Sequence, residues 1–204
     1  VAQNNTIPAE YYLPDGVEPD DPRRPAVICM HILNGNFALV RMTCTMLATH
    51  GIPALMFKLP YYGERGFPEG PEAMATNPAL LIDSLGQSSH DVRRTVDLLA
   101  SRSEVNPAQI GITGISLGGV VSSTAAGIDP RINRAMLILA GGDLMTAIHE
   151  ARETAELSQT IRQLPPQERA QLERAIHDVD PLTHAAQLRD RAVRSGEEEL
   201  FKAR

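Results

Sequence analysis

At 204 residues and 43% hydrophobic content, the chain is long enough for one domain with a sizeable core. Its net charge of -6, with basic residues scattered rather than striped, argues against nucleic acid as a partner, and no apolar run reaches the roughly 18 residues of a membrane span. The amino-terminal VAQNNTIPAE has neither the basic nor the apolar region of an export signal, although a chain beginning at Val1 leaves a removed leader open. Cys29 and Cys44 fall in a predicted buried strand and a predicted helix, which suits two free thiols better than a disulfide and points to the cytoplasm.

Taken in order, Pro8 to Leu13 reads as an edge strand closed by the turn Pro14-Asp15-Gly16, followed by an acidic, proline-rich link through Pro25. Ala26 to Met30 is continuously apolar, as expected of a central strand covered on both faces. A loop from His31 to Asn36 leads to a helix from about Phe37 to His50, ended by Gly51. The next strand, Ala54 to Lys58, opens into the loop Leu59 to Gly66. From there to Pro78 the chain is rich in Pro, Gly and Glu and reads as irregular surface. A helix follows from Leu80 to Arg102, with Val92, Val96 and Leu99 on one stripe.

The next stretch, Gln109 to Ala126, organises the rest. Gln109 to Thr113 reads as a short buried strand, and from Leu117 the residues Leu117, Val120, Val121 and Ala125 recur at helical spacing. Between them, Gly114-Ile115-Ser116-Leu117-Gly118 matches G-x-S-x-G, the strained turn that presents a serine hydroxyl at the end of a parallel strand. Ser116 is therefore the candidate nucleophile. The alternative is a glycine-rich packing turn. Gly111, Gly114 and Gly118 are spaced three and four apart, which does not fit the dinucleotide fingerprint G-x-G-x-x-G.

Ala135 to Leu139 is a further apolar strand, ending in Gly141-Gly142-Asp143. Beyond it, Leu144 to Leu164, Gln167 to Val179 and Leu182 to Leu188 are charged amphipathic stretches, so residues 144–190 form a helical lid or cover within a single domain, 1–204. Alternating strands and helices predict a doubly wound, mainly parallel α/β sheet of about five or six strands. No His/Cys/Asp/Glu cluster has ligand spacing, so no metal or other cofactor is expected.

With these residues in view, the chain resembles the α/β-hydrolase superfamily, and within it the dienelactone hydrolase-like and acetyl xylan esterase-like esterases. The resemblance runs from about Tyr11 to Leu188, through PAVICMHILNGN, the KLPYYGERG loop, VNPAQIGITGISLGG, AMLILAGGD and DPLTHAAQL. It implies a small-molecule ester substrate, with short acyl groups expected, attacked by Ser116. It also implies an oxyanion hole built from the Leu117 amide and, in the loop after the first central strand, the Leu33 amide, with Ile32 next in line. His31, where the family more often follows with glycine, is expected to shape this loop rather than to act as a base. Tyr61, Tyr62 and Arg65, in a loop at the carboxyl edge of the sheet, either line the acyl pocket or serve packing and solvation.

The same resemblance exposes a shortfall. The superfamily orders its triad as nucleophile, acid, histidine, with the acid after the strand that follows the lid. Here that strand would start near Ala192, and Arg204 ends the chain before the usual acid and histidine. Asp143 is a candidate displaced acid, and His149, His177 and His184 are candidate displaced bases. Otherwise the chain is a C-terminally incomplete esterase, is completed by a partner, or is a ligand-binding relative without turnover. A sheet lacking its last strands would leave one edge open to self-association.

Overall fold

A computed structural model of the protein describes residues 5–18, 21–33, 37–66, 70–188 and 192–195. Six strands form one sheet in the order β1-β3-β2-β4-β5-β6. They are β1 (Ala9–Tyr12), β2 (Arg24–Met30), β3 (Ala54–Phe57), β4 (Val105–Ile115), β5 (Ile132–Ile138) and β6 (Ala192–Ser195). Only β1 is antiparallel, on β3; every other pairing is parallel. The expected α/β sheet, mainly parallel with helices on both faces, is the observed one.

The continuous apolar runs of β2 and β3 have a simple geometric cause. Successive side chains of a strand point to opposite faces, so a strand covered on both needs apolar residues at every position. Ala26, Ile28, Met30, Leu55 and Phe57 enter the main core on one face. Cys29, Ala54 and Met56 pack on the other against Val40 and Cys44 of helix α1 (Ala38–Thr49). Both cysteines are free and buried.

The main-core face carries α2 (Gly70–Thr76), α3 (Pro78–Ala100) and α4 (Leu117–Ile128), followed by α5 (Leu144–Glu150), α6 (Ala155–Gln163) and α7 (Pro166–Val179). Three details depart from the sequence reading. The stretch expected to be irregular contains α2, whose Met74 is fully buried in the main core. Helix α3 starts two residues earlier than expected because the Asn77 side chain accepts from the amides of Ala79 (3.0 Å) and Leu80, with Pro78 at the first helical position. The stretch 144–164 is two helices, parted by a 3-10 turn at Arg152–Thr154 where the Thr154 hydroxyl donates to the Ile148 carbonyl at 2.9 Å.

Of the two expectations for Tyr61, Tyr62 and Arg65, packing is the observed one, inside the protein rather than on its surface. All three are at most 3% exposed. The Tyr61 hydroxyl donates to Asp83, and the Tyr62 hydroxyl to the Leu33 carbonyl. Arg65 is ion-paired with Asp91 at 2.7 Å and donates to the Lys58 carbonyl at 2.8 Å. Their polar ends are buried because each has a partner fixed by the fold. Among the described residues, no helix is long and apolar enough to cross a membrane.

Candidate active site

Ser116 stands between the end of β4 and the start of α4 with φ 53° and ψ -119°, a backbone conformation that side-chain-bearing residues rarely adopt. The surroundings enforce it. The Ser116 amide donates to the Ile138 carbonyl of β5 at 2.9 Å, and its carbonyl accepts from Val120 at 2.9 Å to begin the helix. A β-carbon on Gly114 would lie 2.2 Å from the Gly118 carbonyl oxygen. One on Gly118 would lie 2.6 Å and 2.7 Å from the carbonyl oxygens of Met30 and His31. Only glycine permits β2, β4 and α4 to approach this closely. The Ser116 side chain is left exposed.

The same close approach sets the loop after β2 beside the first turn of α4. His31 fastens that loop from within. Its Nε2 accepts from the Leu59 amide at 3.0 Å, which leaves the proton on Nδ1, donated to the Ile32 carbonyl at 2.9 Å. Burial pushes the imidazole down to about 4, against an opposing contribution from the Ile32 hydrogen bond. With both nitrogens engaged, His31 is a neutral structural residue. Phe37 and Tyr62 meet its ring edge-on, at centroid distances of 4.9 Å and 4.5 Å. Tyr62 also donates to the Leu33 carbonyl, so the aromatic pair holds the turn that carries Leu33.

Leu33, Ser116 and Leu117 line one cavity of about 490 Å³. Its walls come from α3, α5, α6 and α7, through residues such as Leu81, Leu85, Leu144 and Ile148. The sequence reading did not assign these. Their spacing of four, which sets both members of each pair on one helix face, was the available signal. Leu139, at the cavity mouth, also has a positive φ, 50°.

Among the described residues, none of the remaining candidates is hydrogen-bonded to Ser116. Asp143 adopts a left-handed backbone and caps α5, its carboxylate accepting from the Thr146 amide at 3.2 Å. The amides of Asp143, Leu144 and Leu182 all donate to the buried Asp180 carboxylate, at 3.1, 2.6 and 2.8 Å. His149 is bonded to the Ser158 hydroxyl at 2.7 Å. His177 is exposed beside Asp178. His184 sits against Gly127, where a β-carbon would meet its own at 2.5 Å. That is eleven residues along α4 from Ser116, or about 16 Å at 1.5 Å per residue. Among the described residues, no histidine is hydrogen-bonded to Ser116.

Solved structures share this arrangement at the level of the fold. An acetyl xylan esterase from Paenibacillus sp. R4 superposes with a TM-score of 0.67 at 24% identity, covering 89% of this chain and 61% of that one. Acetyl xylan esterase 1 from Thermoanaerobacterium sp. JW/SL YS485 gives 0.64 at 15% identity, over 89% of this chain and 60% of that one. A puromycin-hydrolyzing peptidase of Mycobacterium tuberculosis gives 0.67 at 18% identity, over 93% and 28%. The chain thus spans about three-fifths of the length of the two esterases. No curated protein matches its sequence at a significant level. The sequence pattern of the Dienelactone hydrolase family matches residues 16–171, the segment that contains β2, the elbow at Ser116, β5 and the first two cavity helices after it. On that match the chain belongs to the Dienelactone hydrolase family.

Proposed function

We propose that the protein hydrolyses carboxylic esters of small molecules through an acyl-enzyme on Ser116. The observation that carries this reading is the Ser116 backbone. It is held in a strained conformation by contacts on three sides, with its side chain exposed at an apolar cavity. Strain of this kind costs on the order of 1–3 kcal/mol and is retained where surrounding structure over-determines it, typically at reactive sites.

In the proposed reaction, Oγ of Ser116 bonds to the ester carbonyl carbon, the bond to the alcohol oxygen breaks, and the alcohol leaves with the proton Oγ gave up. Water then cleaves the acyl–serine bond to release the acid and restore the hydroxyl. The oxyanion formed on the way faces the amide of Leu117, which as the first residue of α4 has no helical acceptor, and the amide of Leu33 from the loop held by His31 and Tyr62. Each such donor contributes about 3 kcal/mol to lowering the barrier. The proton of Ser116 needs an acceptor, and in this reading that base lies outside the described residues or on a partner. The described arrangement alone therefore acylates slowly. A ligand-binding role without turnover is the second reading, favoured by the absence of a histidine bonded to Ser116 among the described residues.

A fluorophosphonate probe followed by peptide mass spectrometry tests the proposal. The adduct is expected on Ser116 and lost in Ser116→Ala; labelling elsewhere, or none, would refute the nucleophile. The pH dependence locates the base. A labelling rate that climbs about tenfold per pH unit beyond neutrality means an unassisted hydroxyl. A plateau near pH 7 means that a histidine has joined the site.

A further inference from the structure

Resting on that reading of Ser116, we infer that the acyl half of the substrate is an uncharged alkyl or aromatic group of about six to ten carbons rather than an acetyl group. The cavity that opens at Ser116 measures about 490 Å³. At about 30 Å³ for each water-sized group, that is room for some sixteen heavy atoms. An acetyl group would fill less than a fifth of it and leave the far walls without contacts, forgoing the dispersion and burial gains that an occupied apolar cavity provides.

The chemistry of the walls narrows the choice further. Leu81, Leu85, Leu144, Ile148, Leu157 and Ile176 converge on the space from α3, α5, α6 and α7. Among the described lining residues the only polar side chains are Ser116 and Thr154, and Thr154 Oγ1 is engaged by the carbonyls of Ile148 (2.9 Å) and Ala151 (3.1 Å). None of them carries a charge, so a carboxylate at the far end of the acyl group would be desolvated without a partner. The short acyl groups expected from the sequence do not match a space of this size and character.

Ser116→Ala, which cannot be acylated, allows intact nitrophenyl esters to be titrated by calorimetry. From acetate to hexanoate, affinity should rise about fourfold per added methylene, then level off beyond about ten carbons. The nitrophenyl half-ester of adipic acid, which carries a terminal carboxylate, should bind at least tenfold more weakly than the hexanoate. Ala147 lines the cavity while remaining exposed, so Ala147→Phe can fill the space without disturbing the core, and should move the optimum to shorter chains. Equal affinity for acetate and hexanoate, or a series unmoved by Ala147→Phe, would overturn the proposal. Fluorophosphonate labelling of the unmodified chain reads the nucleophile separately. An adduct on Ser116 with a flat chain-length series refutes only the acyl assignment, whereas a steep series without an adduct refutes only the nucleophile.

Discussion

Replacing Gly118 by alanine tests whether steric exclusion at the elbow is what holds Ser116 in place. The new methyl group would stand 2.6 Å from the Met30 carbonyl oxygen and 2.7 Å from that of His31, both backbone atoms. Ordinary contact begins near 3.4 Å, so α4 and the end of β2 would have to part by about 0.8 Å. Neither can move easily, because β2 is hydrogen-bonded on both sides and α4 is buried along nearly its whole length. Overpacking in rigid surroundings costs about 3 kcal/mol, the upper part of the usual range, and the better helix propensity of alanine returns at most about 1 kcal/mol. The net loss of about 2 kcal/mol or more should lower the melting temperature by about 4–8 °C in a domain of this size. Gly86→Ala is the matched control. It lies inside α3 with nothing within 4 Å of the added carbon, and should stabilise by up to about 1 kcal/mol. Urea unfolding reads both variants. In Gly118→Ala the shifted loop should also slow fluorophosphonate labelling of Ser116. A Gly118→Ala protein as stable as Gly86→Ala would refute the reasoning.

Other perturbations follow from the same geometry. Burial lowers His31 from 6.5 to about 4, so its contribution to stability is complete above pH 6.5 and is lost as pH falls from there towards 4. Between pH 7 and pH 5 the loss should be about 2 kcal/mol, read from urea midpoints, and His31→Asn should flatten it; an unchanged slope in the variant would count against the assignment. Asp91→Asn removes the carboxylate charge ion-paired with the buried Arg65 guanidinium and should cost about 3–5 kcal/mol, while Arg65→Met combined with Asp91→Leu recovers most of that loss. Equal stability of Asp91→Asn and the parent would argue that the pair is hydrated in solution. Tyr62→Phe should cost about 1 kcal/mol in unfolding and slow Ser116 labelling more than that loss explains, because the Leu33 carbonyl loses its donor; labelling at the parental rate would show that the turn holds itself.

Much of the fold was legible because its signals are local. The unbroken apolar run Ala26 to Met30 specifies a strand covered on both faces, and the glycines flanking Ser116 specify where backbones converge. What was illegible depends on partners distant in sequence. Tyr61, Tyr62 and Arg65 read equally well as pocket lining or as packing, because the partners of their polar ends, Asp83, Leu33 and Asp91, lie far along the chain. Helix α2 was hidden by its glycine and proline. Its first residue, Gly70, has room only for a hydrogen against the Tyr61 carbonyl, a contact that exists only once the chain has folded back. The candidate site divides along the same line. The serine and its turn are written in a pentapeptide, whereas the cavity beside it is assembled from helices whose apolar faces each look like ordinary core.

The Asp180 carboxylate has a consequence for how this architecture can diversify. By gripping the amides of Asp143 and Leu144 on one side and Leu182 on the other, it brings together two points of the chain 37 residues apart. Helices α5, α6 and α7 lie between them, so the cavity roof is an excursion that departs from the sheet and returns to the place it left. Closing such a loop becomes only slowly more costly as it lengthens, about 0.6 kcal/mol for each doubling. The roof can thus be lengthened, shortened or exchanged as a cassette while the elbow beneath it stays in register. The shape of the cavity can change through the roof without renegotiating the sheet.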